Sequence, residues 1–122
     1  MKKFVLILVF GVSASVLSSP SMGQTGIAIP FTYAKGKMLY DQACSSCHGV
    51  NLDGGDKGPP LVHDYYKPSH HGDDSFYKAA LQGTRAHHWN FGDMPAIEGM
   101  TRDRMKSIIA FVRYYQKQMK LY

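Results

Sequence analysis

Cysteine is nearly absent. The 122 residues hold two, Cys44 and Cys47, and none precedes Cys44 to carry a lipid at the amino terminus. A disulfide-rich scaffold needs several bridges, and a structural zinc centre ordinarily takes four Cys or His ligands. With no second C-x-x-C, neither follows from the cysteines alone. Strand-like alternation is also missing around the pair, which removes the βαβ setting expected of a thioredoxin-type dithiol. Long apolar runs are missing too. The longest, residues 4–17, is broken by Gly11, Ser13 and Ser15 and falls short of the about 18 apolar residues that a membrane-spanning helix requires. Charge of one sign is scarce. Lys2 and Lys3 are two of the 14 basic residues, and without them the formal charge falls from +5 to +3, which argues against nucleic acid as a partner. There are no internal repeats and no low-complexity segments.

What is present is concentrated in Cys44-Ser45-Ser46-Cys47-His48. A C-x-x-C-H run reads as an attachment site for c-type haem. Two thiols with two residues between them on a helical turn can reach the two vinyl groups along one porphyrin edge. A histidine directly after the second thiol projects from the same turn and can reach the iron. A redox dithiol, a zinc site completed by other histidines, and a simple disulfide are the alternatives weighed against this reading.

Lys2 and Lys3 followed by the apolar stretch 4–17 and the small residues Ser18, Ser19, Ser21 and Gly23 have the layout of a secretory signal peptide. The expected division is a signal peptide over 1–23, an irregular lead-in over 24–33 containing Gly26 and Pro30, and one domain over 34–122. Cleavage would leave a protein with no stable membrane insertion, placed in the periplasm. Export agrees with the haem reading, because bacteria attach haem covalently outside the inner membrane.

Along the domain, Gly36, Leu39 or Tyr40, and Ala43 fall at helical spacing, predicting a helix over 33–43 that runs into the haem motif and stops at Gly49. Residues 50–71 carry Gly54, Gly55, Gly58, Pro59, Pro60 and Pro68. They predict a long loop with one helical turn near 61–65. So long a loop in a small domain calls for a function, and wrapping a haem edge would be one. Asp73, Asp74 and Ser75 are N-cap candidates for a helix over 75–82 ending at Gly83. A second loop, 84–99, follows. Thr101 then caps a last helix over 102–119, with Met105, Ile108, Ile109 and Val112 on its apolar side. The expected class is all-α: three main helices and long loops around one haem.

The second iron ligand decides between electron transfer and ligand chemistry. Met94, in Gly92-Asp93-Met94-Pro95, is the preferred candidate, since proline fixes the backbone after it and its loop lies far enough downstream to reach the opposite haem face. Met38 and Met105 fall in helical patterns, and Met119 is near the end. Met100 and the loop histidines His63, His70, His71, His87 and His88 are the other candidates. Solvated side chains are the preferred reading for His63, His70 and His71, with copper or zinc binding the minor one, while His87 and His88 are read as solvent-facing or near a haem propionate.

In this order the parts resemble a class I bacterial cytochrome c, a small monohaem electron carrier, over residues 34–115. They are Gly36 and Tyr40, C-S-S-C-H-G at 44–49, Gly58-Pro59-Pro60-Leu61, the segment 76–83, Gly92-Asp93-Met94-Pro95-Ala96, and Ala110-Phe111-Val112. The resemblance implies haem c held by Cys44 and Cys47 with His48 and Met94 on the iron. It implies that Gly36 and Tyr40 meet the last helix near Phe111, and that the Pro59 or Pro60 carbonyl accepts the Nδ1–H of His48. Arg85, Trp89 and Asn90 stand where the family often places propionate or methionine partners. Asp93, between Gly92 and Met94, departs from the family pattern.

The function so implied is single-electron transfer by a monomeric carrier, not an enzyme, docking with a dehydrogenase, a reductase or a terminal oxidase. A dedicated cytochrome subunit of a periplasmic dehydrogenase complex and a haem-based gas sensor are the rival readings.

Overall fold

The computed structural model describes residues 26–122, so the expected signal peptide lies outside the described residues. Four α-helices follow in order: α1 (Phe31–Ala43), α2 (Ser45–His48), α3 (Asp73–Gln82) and α4 (Arg102–Gln118), with a 3₁₀ turn at Asp64–Tyr66. Among the described residues there is no strand, only two isolated bridges, Gly55 with Gly58 and Thr84 with Met94. No described helix is long and apolar enough to cross a membrane.

The core is the crossing of α1 over α4. Helix α1 buries only Gly36, Leu39 and Tyr40, so its stability comes from what it packs on. A Cβ built on Gly36 would stand 2.1 Å from the Ser107 carbonyl oxygen and 2.8 Å from Phe111 Cβ. Only glycine lets the two backbones approach this closely. One turn on, the Tyr40 and Phe111 rings meet at 5.5 Å. Tyr33 stacks on Tyr114 at 4.4 Å, and the Tyr114 hydroxyl donates to the Ala28 carbonyl, fastening residues 28–33 to α4.

Helix α4 carries the apolar stripe that the sequence predicts. Met105, Ile108, Ile109 and Val112 are all buried, joined by Phe111 and Tyr115. Burying each such side chain contributes about 1.5–3 kcal/mol. Thr101 Oγ1 accepts from Arg104 N at 3.2 Å, the expected N-cap.

Two helix starts differ from expectation. Helix α1 begins at Phe31, inside the lead-in expected to be irregular, because Pro30 (φ −58°) occupies the N-cap position and its carbonyl accepts from Tyr33 N at 2.9 Å. Helix α3 begins at Asp73, with Gly72 as its cap. Asp73 and Asp74 lie in the first turn, where carboxylates face the free N–H groups, instead of capping it.

Candidate functional site

The short helix α2 is built from the C-x-x-C-H residues. Cys47 N and His48 N both donate to the Cys44 carbonyl, at 3.1 and 3.0 Å, and Gly49 stops the turn. The Tyr40 hydroxyl donates to the Gly49 carbonyl at 2.7 Å, tying this turn to α1. Burial is the main cause that holds the Tyr40 phenol far above its ordinary range. Both thiols are free, so the disulfide alternative is not realised. Cys44 is buried. Burial, with smaller contributions from Cys47 and Asp41, pushes its thiol up to about 11, so the uncombined thiol is protonated at neutral pH.

The following loop folds back beneath the turn. Gly54 N donates to the His48 carbonyl at 2.8 Å, and a Cβ on Gly58 would lie 3.0 Å from the Cys47 carbonyl oxygen. This return brings the Pro59 carbonyl to 2.9 Å from His48 Nδ1. The bond selects the tautomer with a proton on Nδ1 and leaves Nε2 bare. Burial, opposed by that bond, holds His48 below its ordinary value, so its imidazole is neutral and fit to bind a metal.

Cys44, Cys47, His48 and Met94 all line one cavity of about 460 Å³. Its walls are apolar, with Leu61, Phe76, Ile97, Met105, Ile108 and Val112 among them. That volume falls within the roughly 300–1,000 Å³ range of cofactor and small-ligand pockets. Met94 is set by its backbone: Thr84 and Met94 exchange N–H···O bonds of 2.9 Å in both directions. Met100 packs against the core but does not line the cavity, while Met38 and Met119 are exposed.

Trp89 Nε1 is buried and makes no hydrogen bond of ordinary geometry, although the Tyr66 hydroxyl is near enough to interact with it. A buried donor on a residue that lines an apolar cavity asks for an acceptor. Both thiols, the neutral His48 imidazole, the Met94 thioether, the apolar walls and the unpartnered Trp89 donor together fit a covalently tethered haem. Arg85 also lines the cavity; Asn90 is exposed and does not, contrary to the role the resemblance implied for it.

The loop histidines are not separately solvated, as the sequence reading preferred. His63 caps the 3₁₀ turn, its Nδ1 accepting from Tyr65 N at 3.2 Å. His70, His71, His87 and His88 converge, and the last three also line the cavity. Two positioning residues escaped the sequence reading. The buried Gln116 donates to the carbonyls of Leu61 at 2.8 Å and Tyr66 at 3.3 Å. Arg113 donates to the carbonyls of Tyr66 and His71, at 2.7 and 2.6 Å, and pairs with Asp73. Gln116 stands four residues after Val112, on the apolar stripe of α4, and a polar residue there was the available signal.

Comparison with known proteins gives a consistent picture. Residues 33–116 match the family described as cytochrome c. Over 66 residues, 53% of this chain, it is 42% identical to the menaquinol:cytochrome c reductase cytochrome c subunit of Bacillus subtilis (strain 168), covering 21% of that protein. Over 30 residues, 24% of this chain, it is 60% identical to the cytochrome bc1 complex cytochrome c subunit of Corynebacterium efficiens, covering 10% of it. The matched stretches thus span about a fifth and a tenth of these curated relatives.

Proposed function

The chain belongs to the cytochrome c family, and on that premise we propose that it is an exported, periplasmic single-electron carrier with haem held by Cys44, Cys47, His48 and Met94. Haem c, the family's cofactor, supplies a one-electron ferric/ferrous couple. The family's work is electron transfer, not catalysis on a substrate.

The observation that carries this reading is the convergence of both thiols, His48 and Met94 on one apolar cavity. Cys44 and Cys47 are the attachment points. His48, oriented by the Pro59 carbonyl with its Nε2 left bare, would hold the haem iron through that atom. Met94, its backbone clamped to Thr84, would supply a thioether to the same iron. The apolar walls would keep water from a haem iron held there and so favour retention of both ligands in either oxidation state. Trp89, whose buried Nε1 lacks a partner, would be available to donate to a haem carboxylate. The basic pair Lys2 and Lys3 and the apolar run after them support export.

The names of the two relatives support a second reading of the same chemistry, in which this chain is a cytochrome subunit that stays bound to a reductase complex. A dehydrogenase, a reductase or a terminal oxidase is then a fixed neighbour and not a passing one.

The test is production in a host that exports the chain and installs haem. The mature protein should retain haem after denaturation and show a low-spin ferric spectrum with a sulfur-to-iron charge-transfer band. Its ferrous spectrum should be unchanged by carbon monoxide. Haem that washes out, or a ferrous form that binds carbon monoxide readily, would overturn the proposal. Copurification from the native host separates a free carrier from a bound subunit.

A further inference from the structure

The loops flanking α3 bring four histidines together, and His71, His87 and His88 of these also line the cavity. His70 and His88 face each other Nε2 to Nε2 at 3.1 Å, and His71 and His87 do the same at 3.3 Å. One ligand atom from each of His70, His71 and His88 lies within 4.8 Å of the others.

The tautomers make this arrangement unstable when empty. His71 Nδ1–H donates to the Tyr65 carbonyl, and His87 Nδ1–H donates to the Arg85 carbonyl at 2.8 Å. A neutral imidazole protonated on Nδ1 has only a lone pair on Nε2. Two such lone pairs therefore point at each other across 3.3 Å. That is repulsive unless positive charge lies between them. Carbonyl bonds to the far ring nitrogen are also the usual way in which metal-binding histidines are oriented.

We infer that His70, His71 and His88 hold one divalent transition metal ion of the zinc or copper class beside the haem cavity, with His87 adjoining them through His71. Two nitrogens bound to one tetrahedral zinc at about 2.0–2.1 Å stand about 3.3 Å apart, close to the 3.1 and 3.3 Å of the two pairs. An all-imidazole donor set suits zinc, copper or nickel and not magnesium or calcium, which take oxygen ligands. The rings are held from outside the cluster. Tyr65 stacks on His88 at 4.2 Å with an 18° interplanar angle, and Arg113 grips the His71 carbonyl at 2.6 Å. The inference rests on the proposed function to this extent: Met94, and none of these four histidines, is the second iron ligand.

The test uses the haem-loaded protein, so that haem carboxylates occupy whatever part of the cavity rim they claim. After dialysis against a chelator, Zn²⁺ is titrated in by calorimetry, with haem absorbance giving the protein concentration. One zinc should bind per chain, and His71→Ala and His88→Ala should each weaken binding at least tenfold. A second measurement needs no variant. Zinc should shield His70, His71 and His88 of the unmodified sequence from diethyl pyrocarbonate, read peptide by peptide by mass spectrometry, while His63 remains reactive. No zinc uptake by the loaded protein, equal affinity in the variants, or no selective shielding would each overturn the inference.

Discussion

Thr84 and Met94 exchange both of their backbone hydrogen bonds, at 2.9 Å each, and so close the loop of residues 85–93 at its neck. Everything that the loop carries, including Trp89 and two of the clustered histidines, is positioned by this closure. Asp93, the residue out of keeping with the family pattern, reinforces it: its Oδ1 accepts from Ala86 N at 2.9 Å. Replacing it by alanine should cost about 1 kcal/mol, read as a lowered denaturant midpoint, whereas Asp93→Asn should keep most of that stability.

Two methionine variants separate the axial candidates. Met94→Ala should abolish the sulfur-to-iron band and lower the reduction potential measured by voltammetry, because the thioether in the cavity is gone. Met100→Ala should leave both nearly unchanged, since Met100 packs on the core without lining the cavity. The reverse pattern would move the assignment to Met100.

Gly83 lies against the Met94 segment. Its φ is +80°, and a Cβ there would stand 2.8 Å from the Met94 carbonyl oxygen and 3.1 Å from Ala96 N. Gly83→Ala should therefore destabilise the protein by about 1–3 kcal/mol and weaken the sulfur band in molecules that still fold. Gly36→Ala, crowding Ser107 and Phe111 at the helix crossing, should destabilise at least as much while leaving that band intact. Thermal melts and visible spectra on the same samples distinguish the two.

Gln116→Leu fills a similar volume but leaves the Leu61 and Tyr66 carbonyls without their donor. The expected loss is about 1–3 kcal/mol, with no change in covalent haem content. Equilibrium denaturation, with the slope m compared between variants, checks it.

The parts of the molecule legible in the sequence are those whose signal is local or fixed by a ring or a missing side chain. Cys44, Cys47 and His48 read directly from spacing, and the stripe from Met105 to Val112 reads from period. The family resemblance correctly led to the Pro59 carbonyl and to Gly36 against Phe111. The starts of α1 and α3 were misjudged because Pro30 and Gly72 cap them without a side-chain hydrogen bond. The histidine cluster was not legible as one object. His71 and His87 stand 16 residues apart, His70 and His88 18. Their meeting depends on the Thr84–Met94 closure and on Arg113 and Gln116 reaching across from α4. The visible trace was a pair of His-His doublets, one on each side of the helix between them.

The crossing of α1 over α4 also orders events in time. Residues 44–48 are made well before residues 102–118, and Gly36 and Tyr40 have nothing to close upon until that last helix arrives. Covalent attachment is thus given an interval by topology, and the final helix acts as the latch that ends it.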